Sequence, residues 1–130
     1  MPDIVISEFM DESALAGLKA RYDVLYDPGL VDDPGTLGEA VASARALVVR
    51  NRTQVRAALL DRAPRLECVG RLGVGLDNID VDECRSRGIA VYPATGANDL
   101  SVAEYVITAA LILLRGAWTS TDAMMAGQWP

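Results

Sequence analysis

Apolar and polar positions in this chain follow two periods in turn. Short β-prone runs stand at Ile4-Val5-Ile6, Val24-Leu25-Tyr26, Ala46-Leu47-Val48-Val49, Leu66-Glu67-Cys68-Val69 and Ile89-Ala90-Val91-Tyr92. Between them, apolar residues recur every three or four positions, as on one face of a helix. Asp11 is placed to cap a helix whose apolar face is Leu15, Leu18 and Tyr22. Thr36-Leu37-Gly38-Glu39 has the form of a capping box and opens a helix to about Ser43. Thr53 is placed to cap a helix containing Val55, Leu59 and Leu60, which Pro64 ends. Asp80-Val81-Asp82-Glu83 starts a further short helix, Gly88 ends it, and Pro93 stops the fifth strand.

Five strands alternating with helices predict an α/β domain with a parallel sheet. Right-handed crossovers make it a doubly wound, flavodoxin-like, five-stranded arrangement. Ligands of such sheets bind beyond the carboxyl ends of the strands. Here those ends are Ser7-Glu8-Phe9, Arg50-Asn51-Arg52, Arg71 to Gly75 and Pro93 to Asn98, so three arginines and a glycine-rich turn share one rim.

The last segment differs. Ser101-Val102-Ala103-Glu104 reads as a second capping box, and the helix from Tyr105 to Arg115 is apolar nearly all round. Such a helix needs cover on more than one side, from a second chain or a second domain. The expected division is 1–98 as the sheet domain and 99–130 as an interdomain helix and linker, with Trp118 and Trp129 packed at the junction. Gly127-Gln128-Trp129-Pro130 reads as a linker and not as a natural terminus.

Composition narrows the function classes. The chain has 130 residues, 51% of them hydrophobic, enough for a real core. A net charge of −6 argues against a nucleic-acid partner. The start, Met1-Pro2-Asp3-Ile4, has no basic segment of a signal peptide, and the longest uncharged apolar run, Tyr105 to Leu114, is too short for a bilayer. The expectation is a cytoplasmic protein without a membrane contact. Cys68 and Cys84 are then two free thiols in preference to a disulfide. The chain contains no histidine, so it carries no imidazole acid–base machinery, and no metal-ligand cluster is expected.

The richest local signal is the run from Gly70 to Asp80, Gly-Arg-Leu-Gly-Val-Gly-Leu-Asp-Asn-Ile-Asp, between a strand and a helix. Its glycines fall at 70, 73 and 75, and position 78 is Asn78, so the dinucleotide pattern G-x-G-x-x-G is not met. Two readings stand: a tight strand-to-helix connection, or a cradle in which the amides of Val74 and Gly75 hold a carboxylate at a helix start. Arg50 and Arg52 are either solvated surface or, if the strand continues and both point one way, a bidentate grip on an anion. Asn51 points elsewhere. Arg71 reads as structural, bonded to carbonyls or to Asp77. Asn98 is a turn residue or an amide offered to a ligand at the rim.

Together, Val48-Val49-Arg50-Asn51-Arg52-Thr53, Gly70 to Asp80, Gly88-Ile89-Ala90-Val91, Asn98 and Ser101-Val102-Ala103-Glu104 closely resemble the NAD-dependent D-2-hydroxyacid dehydrogenases, with the phosphoglycerate-dehydrogenase-like branch nearest. The resemblance covers essentially the whole chain. It implies the substrate-binding domain of a two-domain enzyme that oxidises a small 2-hydroxy acid to a 2-oxo acid. By resemblance, Val74 and Gly75 hold the substrate carboxylate, and Arg50, Asn51 and Arg52 line the pocket. Asn98 lies near substrate and nicotinamide, and Val102 sits at the cofactor-facing hinge. NAD or NADP belongs to the complete enzyme, a homodimer, and is not held firmly by these residues alone. The family's catalytic arginine, its acidic partner and its histidine have no counterpart here, so no catalytic residue is assigned. Asn51 stands where a small hydroxyl residue is common. A phosphoacceptor receiver domain shares the topology but needs an acid where Arg50 and Asn51 stand. An FMN binder needs a Ser/Thr/Gly cluster where Ser7-Glu8-Phe9-Met10-Asp11 stands. A non-catalytic, flavodoxin-like binding or regulatory module is the remaining alternative.

Overall fold

The structure, a computed structural model, describes residues 1–116 and 120–129. They form two compact units, 1–95 and 96–130. The first is a five-stranded sheet made of β1 (Ile4–Ile6), β2 (Val24–Tyr26), β3 (Ala46–Val49), β4 (Cys68–Arg71) and β5 (Ala90–Pro93). The strand order is β2-β1-β3-β4-β5, and every pairing is parallel. This is the flavodoxin-like order, with the direction in which successive strands are added reversing between β1 and β3.

Side-chain alternation sorts the core onto two faces. Val5, Leu47, Val49 and Val69 point to one face and pack with Leu37, Val41, Leu60 and Cys84. These come from α2 (Pro34–Val41), α3 (Ala57–Leu60) and α4 (Val81–Ser86). Ile4 and Ile6 point to the other face, against Leu15 of α1 (Glu12–Lys19). Cover on both faces is why the central strands β1 and β3 read as continuous apolar runs and not as alternating ones.

Helix starts follow the nearest carboxylate. Asp11 caps α1 as expected, accepting from the Ser13 and Ala14 amides. The capping box at Thr36 is not used. Asp33 accepts from the Thr36 amide, and α2 starts at Pro34, because proline suits a first helical turn where an N–H has no partner. Thr53 does not cap α3 either, for it is buried and its hydroxyl bonds Ser7 at 2.9 Å. Asp80 caps α4, and Gly88, at φ +73°, ends it. Cys68 and Cys84 are free thiols.

The second unit contains α5 (Asp99–Arg115) and α6 (Ser120–Met125). Ser101 and Glu104 lie inside α5 and cap nothing. The helix begins earlier because the Asn98 carbonyl already accepts from the Val102 amide at 3.0 Å, with Asp99 as the acid of the first turn. Gly116, at φ +62°, closes it. No residue of α5 is buried, and Tyr105, Leu113 and Leu114 are among its exposed apolar side chains. Trp129 is exposed, and Trp118 lies outside the described residues. No described helix is long and apolar enough to cross a membrane.

An uncovered apolar surface of this kind drives association. Sedimentation of the chain at micromolar concentration is expected to give dimers or larger species, shifting toward monomer when Leu113 and Leu114 are both replaced by Ser. A monomer that binds no apolar dye would contradict this.

Candidate functional site

The rim at the carboxyl ends of β1, β3 and β4 is organised by one side chain. Glu8 stands two residues beyond the end of β1 and is only 5% exposed. Its carboxylate accepts backbone N–H bonds from Arg50 at 2.8 Å, Asn51 at 3.1 Å, Arg52 at 3.1 Å and Thr53 at 3.0 Å. Four consecutive amides therefore converge on one anion, the concave arrangement called a nest. Burial pushes the Glu8 carboxyl up, but the amides of Thr53, Arg50, Arg52 and Asn51 together outweigh it and hold it down at about 2. Beside it, the buried Ser7 and Thr53 hydroxyls bond each other.

This nest decides where the sequence-predicted arginines go. β3 ends at Val49, and the chain bends over residues 51–53 around the carboxylate. The extension that would have put Arg50 and Arg52 on one side does not continue. Arg52 instead forms an ion pair with Asp32. Arg50 and Asn51 are exposed, and among the described residues their side chains hold no hydrogen-bond partner. Arg50, Asn51 and Arg52 do share a pocket of about 230 Å³ with Glu8, Phe9, Pro28 and Val31.

The glycine turn on β4 is tied to the same loop. The Asn78 side-chain amide donates to the Thr53 carbonyl at 2.8 Å, and Val55 pairs with Ile79 as an isolated bridge. The Arg56 guanidinium donates to the Asp77 carbonyl at 2.6 Å. Within the turn, Arg71 donates to the Leu72 carbonyl at 3.1 Å, the structural role expected of it. Gly73 has φ +150°, a conformation that residues with a Cβ rarely adopt, and the Arg71 guanidinium lies over it, so the backbone conformation calls for glycine. Val74 and Gly75 are exposed, and among the described residues their amides donate to nothing. The turn does not run into a helix. Residues 72–80 intervene before α4, whose N-terminus is already capped by Asp80. The two free amides, and not a helix dipole, are what the turn offers an anion.

Asn98 and Val102 belong to the second unit. Both are exposed, and the Asn98 side chain makes no capping bond. Sequence reasoning missed Glu8, Asn78 and Asp32. For Glu8 a signal existed: an acidic residue just past the carboxyl end of a buried strand, facing the end of the neighbouring strand in the sheet.

A family model for the D-isomer specific 2-hydroxyacid dehydrogenase catalytic domain matches residues 4–127. The chain belongs to this family. Over 130 residues the chain is 58% identical to (S)-sulfolactate dehydrogenase of Chromohalobacter salexigens, covering 100% of this chain and 42% of that protein. It is 36% identical over 129 residues to D-3-phosphoglycerate dehydrogenase of Mycobacterium leprae, covering 99% of this chain and 24% of that one. The crystal structure of a dehydrogenase from Rhizobium meliloti shares 26% identity and a TM-score of 0.74 over 97% of this chain and 45% of its own. The chain thus spans less than half the length of these curated relatives.

Replacing Glu8 by Gln puts an NH₂ group against amide donors. The Glu8 carboxyl titrates lower in the folded chain than the ordinary carboxylate value of 4.5. Its stabilisation is therefore complete above pH 4.5 and is lost as pH falls toward about 2. Urea unfolding near neutral pH is expected to show E8Q weaker by about 2–3 kcal/mol. The gap to the natural chain should close as the solution is acidified through that window. A gap that stays constant with pH would refute this assignment.

Proposed function

We propose that this domain is the substrate-binding part of an NAD- or NADP-dependent enzyme that oxidises a small 2-hydroxy acid to a 2-oxo acid. The observation that carries the proposal is the pair of free amides at Val74 and Gly75, on a loop stitched to the one that presents an unpaired Arg50. The amides suit the carboxylate of the acid. Arg50 suits a second anionic group, and the two relatives named above act on sulfolactate and phosphoglycerate, acids that carry one. Asn51 adds an amide at the same mouth. Arg52, held by Asp32, shapes the wall and contributes less to charge recognition than the sequence led us to expect.

In this reading the domain orients the acid and matches its charge, which lowers the barrier by positioning. Hydride transfer is the chemistry that the nicotinamide supplies when bound. The spacing of the glycine turn, with Arg71 filling the space over Gly73, does not fit a nucleotide cradle, so we assign none to it. Asn98 and Val102 are the residues we place toward the cofactor side, on the strength of the family resemblance. The division into a sheet domain and a helical segment leading to a cofactor domain belongs to the same proposal, as does a homodimer of the complete enzyme.

The test is kinetic and uses the whole dehydrogenase that carries this domain. Arg50→Ala is expected to raise KM for a doubly anionic 2-hydroxy acid roughly 10- to 100-fold, with KM for the nicotinamide cofactor nearly unchanged. Equal KM values for the acid in variant and parent would remove Arg50 from the site. A second expectation concerns the 130-residue chain by itself. Lacking any histidine, it should form no NADH from any 2-hydroxy acid offered. Turnover by the pure chain would overturn the proposed sharing of roles. Acid binding without turnover in the whole protein would favour a non-catalytic binding module.

A further inference from the structure

Next to the candidate site, and independent of the dehydrogenase reading, lies a second and larger pocket of about 520 Å³. It is bounded by the Pro28–Asp32 turn, α2 and α3, with Val31, Leu37 and Leu59 as apolar wall and Arg52, Arg56 and Arg62 as cationic wall. Arg52 is neutralised by Asp32. The other two are not paired with an acid. Arg56 donates to the Asp77 carbonyl and, at 3.3 Å, to the Gln54 side chain. Arg62 reaches only the Pro34 carbonyl, at 3.5 Å. Among the described residues neither forms an ion pair. In a chain of net charge −6, two guanidinium groups facing one pocket without a carboxylate are an unusual local excess.

A second observation shows that Arg62 is seated, not merely exposed. Gly38 is buried in the interior of α2, a place where glycine is unfavourable compared with alanine. A Cβ at Gly38 would overlap Cζ, Nη1 and Nε of Arg62, so the guanidinium lies flat on the bare helix backbone. The helix gives up propensity there, and what occupies the vacated space is an uncompensated positive charge. Concessions of this kind collect at functional positions.

We propose that this pocket binds a small organic anion. Arg56 and Arg62 hold its anionic head, and its apolar body lies against Val31, Leu37 and Leu59. A phosphate monoester and an aryl or alkyl carboxylate share this chemistry. The site is separate from the mouth formed by Arg50 and Asn51, although Arg52 and Val31 border both. An anion here would compete with Asp32 for Arg52, which links the two pockets.

The probe is phenyl phosphate, titrated into the 130-residue chain while the arginine Nε–H signals are followed by NMR. The expected result is saturable shifts of Arg56 and Arg62. Benzoate should bind at the same residues, inorganic phosphate at least 10-fold more weakly, and benzyl alcohol not at all. Arg62→Ala and Gly38→Ala should each weaken phenyl phosphate binding 10-fold or more, while Arg50→Ala leaves it within about twofold. Gly38→Ala keeps every charge and should melt no lower than the parent, so its loss of binding reports the displaced guanidinium. Should it melt lower, Arg62→Ala, which adds no atoms, carries the test. The absence of a saturable shift, or affinity unchanged in Arg62→Ala, would overturn the proposal. Inorganic phosphate binding as tightly as phenyl phosphate would overturn the role of the apolar wall. Loss of binding in Arg50→Ala would assign the anion to the neighbouring mouth, which also overturns it.

Discussion

The rim of this domain depends on one buried carboxylate. Glu8 satisfies four consecutive amides that would otherwise be stranded at the end of β3, where the ladder has stopped and no helix has begun. Unpaired buried N–H groups are costly, so the loop has little freedom to adopt another shape. The Asn78 amide and the Val55–Ile79 bridge then carry that constraint to the glycine turn. Arg50 projects outward because Glu8 fixes the backbone beneath it. The geometry of the mouth is thus set from below, by a residue that need not touch a ligand.

The sheet was legible in the sequence because its signal is local. Five apolar runs, the central ones covered on both faces, can be counted without knowing their partners, and the turns between them carry aspartate, proline and glycine. Strand ends were less legible. β4 and β5 run to Arg71 and Pro93, beyond the apolar runs, because backbone pairing continues after the hydrophobic pattern stops. Helix starts were misread wherever two capping residues competed. Asp33 won over Thr36, since a charged carboxylate is the stronger acceptor and the proline after it suits the first turn. At Thr53 the hydroxyl was drawn instead to Ser7, 46 residues away, and no local pattern announces such a contact.

The same distinction separates the site residues. Val74, Gly75, Arg50 and Asn51 were visible as chemistry placed at strand ends. Whether an arginine there is free or engaged depends on which acids the fold brings near. Arg52 meets Asp32 from the Pro28–Asp32 turn, and Arg50 meets none. Glu8 looked like part of an acidic loop because its four donors belong to a segment more than 40 residues away. The most constrained interaction on the rim joins segments far apart in the chain, and periodicity is blind to that.

The self-filled nest has a consequence for how ionic strength acts on this domain. Glu8 is shielded from solvent and bound through backbone dipoles, so dissolved ions have little access to it. Arg50 stands in solvent, where charges more than a Debye length apart are largely screened, about 10 Å at 0.1 M salt. On the proposed reading, added salt screens the attraction of Arg50 for an approaching anion and leaves the loop that presents the arginine in place. Scaffold and recognition respond to different solution variables, acidity for the one and ionic strength for the other.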